Sequence, residues 1–194
     1  MNFDIGMAVL AILVLMLMSA FFSAAETGMT ATSRARLTEL ERRGNWRASL
    51  VLRLTKTSER LIGALLLGNN VANITASAIA TAALIRIFGD SGAVIASAVM
   101  TVLVLIFCEV MPKTYAIARP DRVALAVSPV VRVLVAVFGP VVITVEYIVR
   151  NVLRLFGINV SDTTDILSAR DELRGTIDLR HKEGGFVKIG RAHV

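Results

Sequence analysis

A carboxylate ends a long apolar run at Glu109, where the sequence reads VLIFCEVMPKTY. No charge occurs from Ser91 to Cys108, and Pro112 and Lys113 follow within one helical turn. Because proline has no N–H, Pro112 cannot donate to the carbonyl of Cys108 four residues earlier. The Glu109 carboxylate and the Cys108 carbonyl would then be two oxygen ligands at one place. The alternative is an ordinary helix end at which Glu109 pairs with Lys113.

A second polar cluster, GNNVANITAS, lies in the middle of another apolar block. On a helix, Asn70, Asn73 and Ser77 share one face. A single asparagine in such a block is typical of a hydrogen bond between membrane helices. Three asparagines within five residues exceed what packing requires, so this cluster is predicted to have a function.

The third cluster is SAAET, in which Ser23, Glu26 and Thr27 have the i, i+3, i+4 spacing of one helical face. For Glu26 alone, a helix end that enters water is an equally good explanation. The three clusters together offer carboxylate, amide, hydroxyl and carbonyl oxygens without any histidine. Such a set suits Mg²⁺, Ca²⁺ or Na⁺ and is poor for zinc or copper.

The elements that carry these clusters are membrane spans. The chain has 194 residues, of which 55% are hydrophobic, and its mean hydropathy is +0.69, which is too apolar for an ordinary soluble domain. Three blocks without charge run from Ile5 to Ala25, from Leu61 to Ile85 and from Ser91 to Cys108. Each reaches the roughly 18–20 residues that cross a bilayer as a helix. The only cysteine excludes an internal disulfide.

Charge placement predicts the orientation of these spans. The net charge of +6 is not spread as in a nucleic-acid-binding protein, because eight Lys and Arg residues fall between positions 34 and 60. Basic loops stay in the cytoplasm, so the N-terminus is expected outside and the C-terminus inside. Lys113, Arg119 and Arg122 then also fall on the cytoplasmic side, while Arg86 must reach the outer interface.

Between the spans, Ser33–Glu41 and Trp46–Lys56 are predicted as short cytoplasmic helices, and Gly89–Gly92 as a tight outer turn. The segment Val123–Phe156 is apolar except for one charged stripe, which favours an amphipathic juxtamembrane helix. A fourth span is the alternative. In either arrangement, Gly139 and Pro140 are expected to break or kink the helix.

The C-terminal part of the chain changes character after the membrane domain, which we assign to residues 1–156. Residues 157–188 are rich in both charge signs and are predicted to begin a cytoplasmic helical bundle. Residues 189–194, IGRAHV, match the translation of a common sequencing-adaptor read-through. We therefore expect the natural protein to continue beyond Lys188 with other residues.

Three motifs in order, FFSAAETGMTATSRARLTEL, LIGALLLGNNVANI and EVMPKTYAI, resemble the transmembrane domain of the CorC/CNNM family of Mg²⁺ transporters. Older descriptions call such proteins hemolysin-like. The resemblance implies an all-α, polytopic membrane fold with three transmembrane helices, short cytoplasmic helices, a juxtamembrane helix and a homodimer. It also implies that an acidic helical bundle and CBS domains, which can bind ATP, follow the membrane domain; CBS domains are absent from this sequence.

The same resemblance implies an intramembrane Mg²⁺ site. Its ligands correspond to Ser23, to one of Asn69, Asn70 and Asn73, and to Glu109, with the Cys108 carbonyl beside them. Many relatives have glycine before that glutamate, so the Cys108 side chain could narrow the site. The asparagine assignment stays open, although helical phase favours Asn70 and Asn73.

The resemblance implies Mg²⁺ efflux across the cell membrane, with Na⁺ as a coupling ion. We do not expect an enzyme, because the spans contain no histidine and no pair of nucleophile and base. An alternative from another class is a membrane-anchored regulator whose missing CBS region acts on a partner. A plain helical anchor is the simplest alternative, but it has no reason to hold three polar clusters inside the membrane.

Overall fold

The computed structural model describes residues 5–156, and in this part of the chain every regular element is a helix. The predicted all-α fold is therefore confirmed. The chain divides into two compact units, Met1–Ile143 and Thr144–Val194, so the last part of α7 belongs to the second. The elements are α1 (Ile5–Ala31), α2 (Arg34–Arg42), α3 (Trp46–Lys56), α4 (Ser58–Phe88), α5 (Ser91–Leu103), a π-helical segment (Val104–Val110), α6 (Met111–Ala118) and α7 (Pro120–Leu155). The proposed domains 157–188 and 189–194 lie outside the described residues.

Four helices are long and apolar enough to cross a membrane: α1, α4, the continuous stretch Ser91–Ala118, and α7. The first three contain the predicted spans. In this bundle α1 packs most extensively on α4, and it also contacts the π-helical segment and α6. The predicted tight turn is present, with Gly89 at a φ of 65° and the Gly92 amide donating to the Gly89 carbonyl at 2.9 Å.

The two predicted cytoplasmic helices are present within one or two residues of their expected bounds. The Asn45 side chain accepts a hydrogen bond from the Arg47 amide at 3.1 Å and caps the start of α3. Leu37 of α2 and Val51 of α3 are both fully buried, and they belong to the same apolar cluster. This pair of helices therefore packs into an apolar core that it shares with residues of α1, α4 and α7.

The first part of α7 lies across one end of the bundle. Val123 packs on Gly28 of α1, while Val142 packs on Gly63 of α4. Since α1 and α4 are antiparallel, Gly28 and Gly63 are at the same end of that pair. Yet Val123 and Val142 are about 28 Å apart along their helix. A helix running alongside the spans would bring Val142 to their opposite ends, so this packing agrees with the juxtamembrane arrangement.

Two prolines lie inside α7, which nonetheless continues to Leu155. The helix therefore does not break at Gly139 and Pro140, while the kink that is the other expectation stays a prediction. A proline removes one backbone hydrogen bond and disturbs one turn, while the bonds of the turns before and after it hold the same helix together. No break accompanies Pro129 either.

Candidate functional site

Ser19, Asn69 and Glu109, from three different parts of the chain, form a hydrogen-bonded row inside the bundle. The Asn69 side chain donates from Nδ2 to Glu109 Oε1 at 2.9 Å. Ser19 Oγ donates to Asn69 Oδ1 at 2.6 Å. Ser19 is fully buried and Asn69 is 5% exposed. Because a carboxylate can only accept, Glu109 fixes which end of the Asn69 amide faces it.

The packing of α1 on α4 places Asn69 in this row. Gly68 has no side chain, and a Cβ there would overlap the ring of Phe22. The Phe22 ring therefore lies directly on the backbone of α4, which brings the next residue, Asn69, against α1. Phe22 is itself 3% exposed, so this contact is part of the bundle's interior.

On its other oxygen, Glu109 pairs with Lys113, and Nζ lies 2.9 Å from Oε2. This is the i, i+4 pair that the sequence offers as the alternative to a metal site. Glu26 of α1 also acts electrostatically on Lys113. The lysine thus lies in the field of two carboxylates, and it offsets the charge of Glu109 in this arrangement.

Ser23 lies one helical turn after Ser19 on α1 and is fully buried. Its side chain is near enough to interact with the Glu109 carboxylate. Its hydroxyl oxygen nevertheless makes no hydrogen bond of acceptable geometry among residues 5–156. A buried hydroxyl without a partner is costly, and here it lies beside the only carboxylate of the row.

The three asparagines occupy different environments. Asn69 contacts Glu109, Asn70 is exposed, and Asn73 is half-buried. The Asn73 amide oxygen is itself buried and has no hydrogen-bond partner in the described part of the chain. The structure thus brings Asn69, and not the preferred Asn70, to Glu109, while which asparagine binds an ion stays a prediction. Helical phase shows which residues share a face, but the Gly68–Phe22 contact decides which face meets the neighbouring helix.

Cys108 is fully buried, and its Sγ lies 3.5 Å from the Met16 carbonyl of α1. It belongs to a π-helical segment in which the Met111 amide donates to the Ile106 carbonyl, five residues earlier. Continued in this register, the donor for the Phe107 carbonyl would be Pro112, which has no N–H. Pro112 thus leaves the Phe107 carbonyl without a backbone donor in the π register, and the Cys108 carbonyl without one in the α register. Single π turns are frequent at functional sites.

These groups together can bind a hard cation. No three His, Cys, Asp or Glu side chains converge anywhere in residues 5–156. A metal ion here would depend on the Glu109 carboxylate together with amide, hydroxyl, backbone and water oxygens. Mg²⁺ is typically held by one or two carboxylates and keeps several waters.

Comparison with known proteins identifies the family. A family model described as the cyclin M transmembrane N-terminal domain (CNNM) matches residues 10–188. This chain belongs to the CNNM family. It is accordingly a multi-pass membrane protein, as its apolar helices indicate. The CNNM match covers all three motifs on which the resemblance rests.

The chain is similar to several curated CNNM-type proteins. It is 39% identical over 156 residues to the UPF0053 inner membrane protein YfjD of Escherichia coli, covering 80% of this chain and 36% of that protein. A UPF0053 protein of Haemophilus influenzae is 31% identical over 166 residues, covering 86% and 39%. A chloroplastic DUF21 domain-containing protein of Arabidopsis thaliana is 32% identical over 191 residues, covering 93% and 29%. The chain thus spans about a third of the length of these relatives.

Ser19 is the residue of the row that sequence reasoning missed. It occurs inside the first apolar block, in LMLMSAFFS, without another polar residue beside it. Its signal is the spacing to Ser23, since residues four apart lie on the same helical face. The pair Ser19 and Ser23 therefore marks the face of α1 that meets Asn69 and Glu109.

Proposed function

We propose that this CNNM domain transports Mg²⁺ through a site centred on Glu109. The observation that carries the proposal is the row from Ser19 through Asn69 to Glu109 inside an apolar bundle. Ionisable groups within membrane spans are costly and mark ion pathways by default. A plain anchor would gain nothing from holding a carboxylate, a buried amide and an unpartnered hydroxyl at one depth.

Glu109 supplies the negative charge that offsets part of the ion's lost hydration. Ser23 adds a hydroxyl oxygen that has no hydrogen bond in the described structure. Asn69 must rotate its amide to bind a cation, since Nδ2 and not Oδ1 faces the carboxylate. A backbone carbonyl before Pro112, at Cys108 or Phe107, and retained waters would complete the coordination.

Lys113 is the resting partner of the site rather than a ligand. Its ammonium group occupies one oxygen of Glu109, and a divalent ion would replace it there. Glu109 is partly removed from water, with 27% of its side chain exposed, so a paired lysine lowers the cost of its charge in the state without Mg²⁺. Exchange of the two cations at Glu109 then accompanies each binding event.

The family resemblance supplies the remaining parts of the proposal. Alternating exposure of the Glu109 site to the two membrane faces would move the ion, in the efflux direction and with Na⁺ as the coupling ion. The working unit would be a homodimer in the cell membrane, with the N-terminus outside and the C-terminus in the cytoplasm. ATP would act only through CBS domains that follow in longer relatives.

Replacing Glu109 with glutamine tests the site. Glu109→Gln keeps the size of the side chain and its contact with Asn69, but it removes the charge. Because Glu109 is the only carboxylate of the row, removing its charge should lower Mg²⁺ affinity by at least about a hundredfold, or roughly 2.8 kcal/mol. The measurements are Mg²⁺-dependent thermal stabilisation of the purified protein and Mg²⁺ flux in liposomes.

Two matched variants control this experiment. Glu39→Gln removes an exposed carboxylate on α2 and should leave both measurements unchanged. Lys113→Met should leave Mg²⁺ binding partly intact, because the lysine is not a ligand. If folded Glu109→Gln protein binds Mg²⁺ as tightly as the parent, the site is elsewhere. Normal Mg²⁺ binding without any flux would instead favour the membrane-anchored regulator.

A further inference from the structure

A groove of about 460 Å³ runs along the bundle between α4 and the helix formed by α5 and the π-helical segment. Its polar lining consists of the hydroxyl residues Ser77, Thr81, Ser97 and Thr101 and, at one end, Glu109. The rest of the lining is apolar (Ala96, Met100, Val104 and Leu105), and the groove is open on the side where Ser97 and Thr101 are exposed. The volume can hold a cation with its first hydration shell, since each water occupies about 30 Å³.

On α4 the polar residues repeat every four positions. The series is Asn69, Asn73, Ser77 and Thr81, and residues four apart are neighbours on a helix surface. Asn69 donates to Glu109, and Asn73 has a buried amide oxygen with no hydrogen-bond partner among residues 5–156. Polar groups therefore continue without interruption from the Glu109 site to the middle of α4 and beyond it.

The facing helix has a matching series. Ser97, Thr101 and Glu109 follow the same four-residue spacing, with Leu105 in the remaining position. All four of these residues line the groove. Two polar series from neighbouring helices thus meet along one depression, and both end at the same carboxylate.

The hydroxyl groups present oxygen acceptors to the groove. Thr81 Oγ1 donates to the Ser77 carbonyl at 2.8 Å, and Thr101 Oγ1 donates to the Ser97 carbonyl at 2.7 Å. Each threonine proton is therefore used within its own helix. The lone pairs of both oxygens stay available, which favours water and cations over anions.

The groove extends from Glu109 towards the end of the bundle that carries the Gly89 turn. Thr81 is about 12 Å from Gly89 along α4, whereas Asn69 is about 30 Å away. In the orientation predicted from charge, the Gly89 end is the outer one. Lys113 lies on the other side of Glu109, towards the cytoplasm, so the groove approaches the carboxylate from the side opposite its lysine.

We propose that the groove lined by Ser77, Thr81, Ser97 and Thr101 is the water-filled route by which a hydrated cation passes between Glu109 and the Gly89 end. This route rests on the proposed function for its ion, but its accessibility to water is a separate property. Stepwise oxygen contacts along the route lower the cost of moving a divalent ion through an apolar region. Glu109, in the π-helical segment, is among the residues that line the inner end of this groove.

Cysteine labelling tests the route. Thr81→Cys and Thr101→Cys each place a thiol in the groove, while Ala82→Cys and Val102→Cys place one on the neighbouring exposed surface of the same helices. A membrane-impermeant, cationic methanethiosulfonate reagent is added to one side of liposomes that contain the protein. Asp90→Cys, in the turn, identifies the side from which the Gly89 end is reached. The parent, whose only cysteine is buried, gives the background rate.

We expect both groove cysteines to react roughly tenfold faster than their neighbours, because the reaction requires a thiolate that water stabilises. They should react from the side that labels Asp90→Cys, and Mg²⁺ should slow the reaction at Thr101→Cys. Groove cysteines that react no faster than the neighbouring ones, as in a groove filled by lipid or by a second copy, would overturn the proposal. Labelling only from the side opposite Asp90→Cys would overturn it too.

The same variants separate this route from the proposed transport site. Fast labelling of the groove that Mg²⁺ does not slow supports the water route but argues against a Mg²⁺ site at its end. Slow labelling in a protein whose Mg²⁺ flux depends on Glu109 refutes the route and leaves the transport site standing. Adding Glu109→Gln should abolish the Mg²⁺ effect while the groove cysteines stay reactive.

Discussion

Two apolar cores in this protein are built from different side chains. The end layer, formed by α2, α3, the start of α7 and the adjoining ends of α1 and α4, buries large residues such as Met29, Leu37 and Leu61. The interior of the membrane bundle has a second cluster, which consists of Ala76, Ala80 and Met100. The first resembles the core of a soluble protein, whereas the second is made mostly of small residues.

The difference follows from the solvent on the outside of each core. Because the end layer includes the charged helices α2 and α3, we expect it to face water, where burying a large apolar side chain gains the hydrophobic effect. In the bilayer, lipid is as apolar as leucine, and helices associate through close packing of small residues and through polar contacts. The site row lies in the second environment, where a few hydrogen bonds decide how the helices meet. The end layer is therefore expected to carry stability, and the bundle interior to carry function.

Removing a large side chain from the end layer should have the largest effect on stability. Leu37 is fully buried between α2 and its neighbours, and Leu37→Ala should lower the free energy of unfolding by about 2–5 kcal/mol. Leu66→Ala makes the same change on α4 at a side chain that is 47% exposed. We expect a much smaller loss there. Thermal unfolding in detergent measures both, and equal losses would show that burial of Leu37 in the end layer does not carry stability.

The sequence predicted the elements of both cores well. A long charge-free block predicts a span without any knowledge of the helices that pack on it. The amphipathic spacing of α2 and α3 can likewise be read from each segment alone. Asn69 and Ser19 could not be assigned in this way, because their roles depend on how α1 meets α4. That contact depends on Phe22 packing on Gly68, which is a property of two helices and not of either sequence segment.

The π-helical segment shows the same limit. Pro112 predicts that a backbone carbonyl lacks a donor, but the carbonyl concerned depends on the helical register before the proline. At Pro140 the sequence left both a break and a kink open, since the proline rule describes one lost hydrogen bond and not the strength of the adjacent turns. The metal-ligand roles of Ser23, Cys108 and Glu109 stay predictions that the variants above test.

Within the bundle interior, removing the Ser19 hydroxyl should have an intermediate effect. Ser19→Ala leaves Asn69 Oδ1 without its donor, and hydrogen bonds between membrane helices are worth about 0.6 kcal/mol on average and up to about 1.7. We expect a loss of stability in that range and weaker Mg²⁺ binding, since Asn69 is held less firmly. Thermal unfolding with and without Mg²⁺ measures both quantities.

Ser128→Ala is the matched control for this variant. Ser128 is also fully buried, but its hydroxyl donates only to the Leu125 carbonyl of its own helix, at 3.1 Å. Ser128→Ala should lower the stability less than Ser19→Ala does, and the decrease should be the same with and without Mg²⁺. Equal effects of the two serine variants on Mg²⁺ binding would mean that Ser19 does not position Asn69.

The smallest effect is expected at the surface of the end layer. Arg36 Nη1 lies 2.9 Å from Asp121 Oδ2, but the arginine side chain is 73% exposed. Ion pairs of this kind contribute about 1 kcal/mol or less. Asp121 also keeps the hydrogen bond that Thr32 Oγ1 donates to its other oxygen at 2.7 Å. Arg36→Gln should therefore lower the unfolding temperature only slightly.

Salt distinguishes this contact from those in the two cores. At about 1 M salt the Debye length falls to roughly 3 Å, so this exposed contact is weakened and the difference between Arg36→Gln and the parent should shrink. The losses from Leu37→Ala and Ser19→Ala do not involve exposed charge and should persist at the same salt concentration. If Arg36→Gln cost as much as Leu37→Ala in low salt, ionic contacts and not buried apolar side chains would attach α7 to the end layer. The stability of the end layer would then come from exposed ion pairs and not from the hydrophobic effect, so the contrast between a water-facing and a lipid-facing core would not explain it.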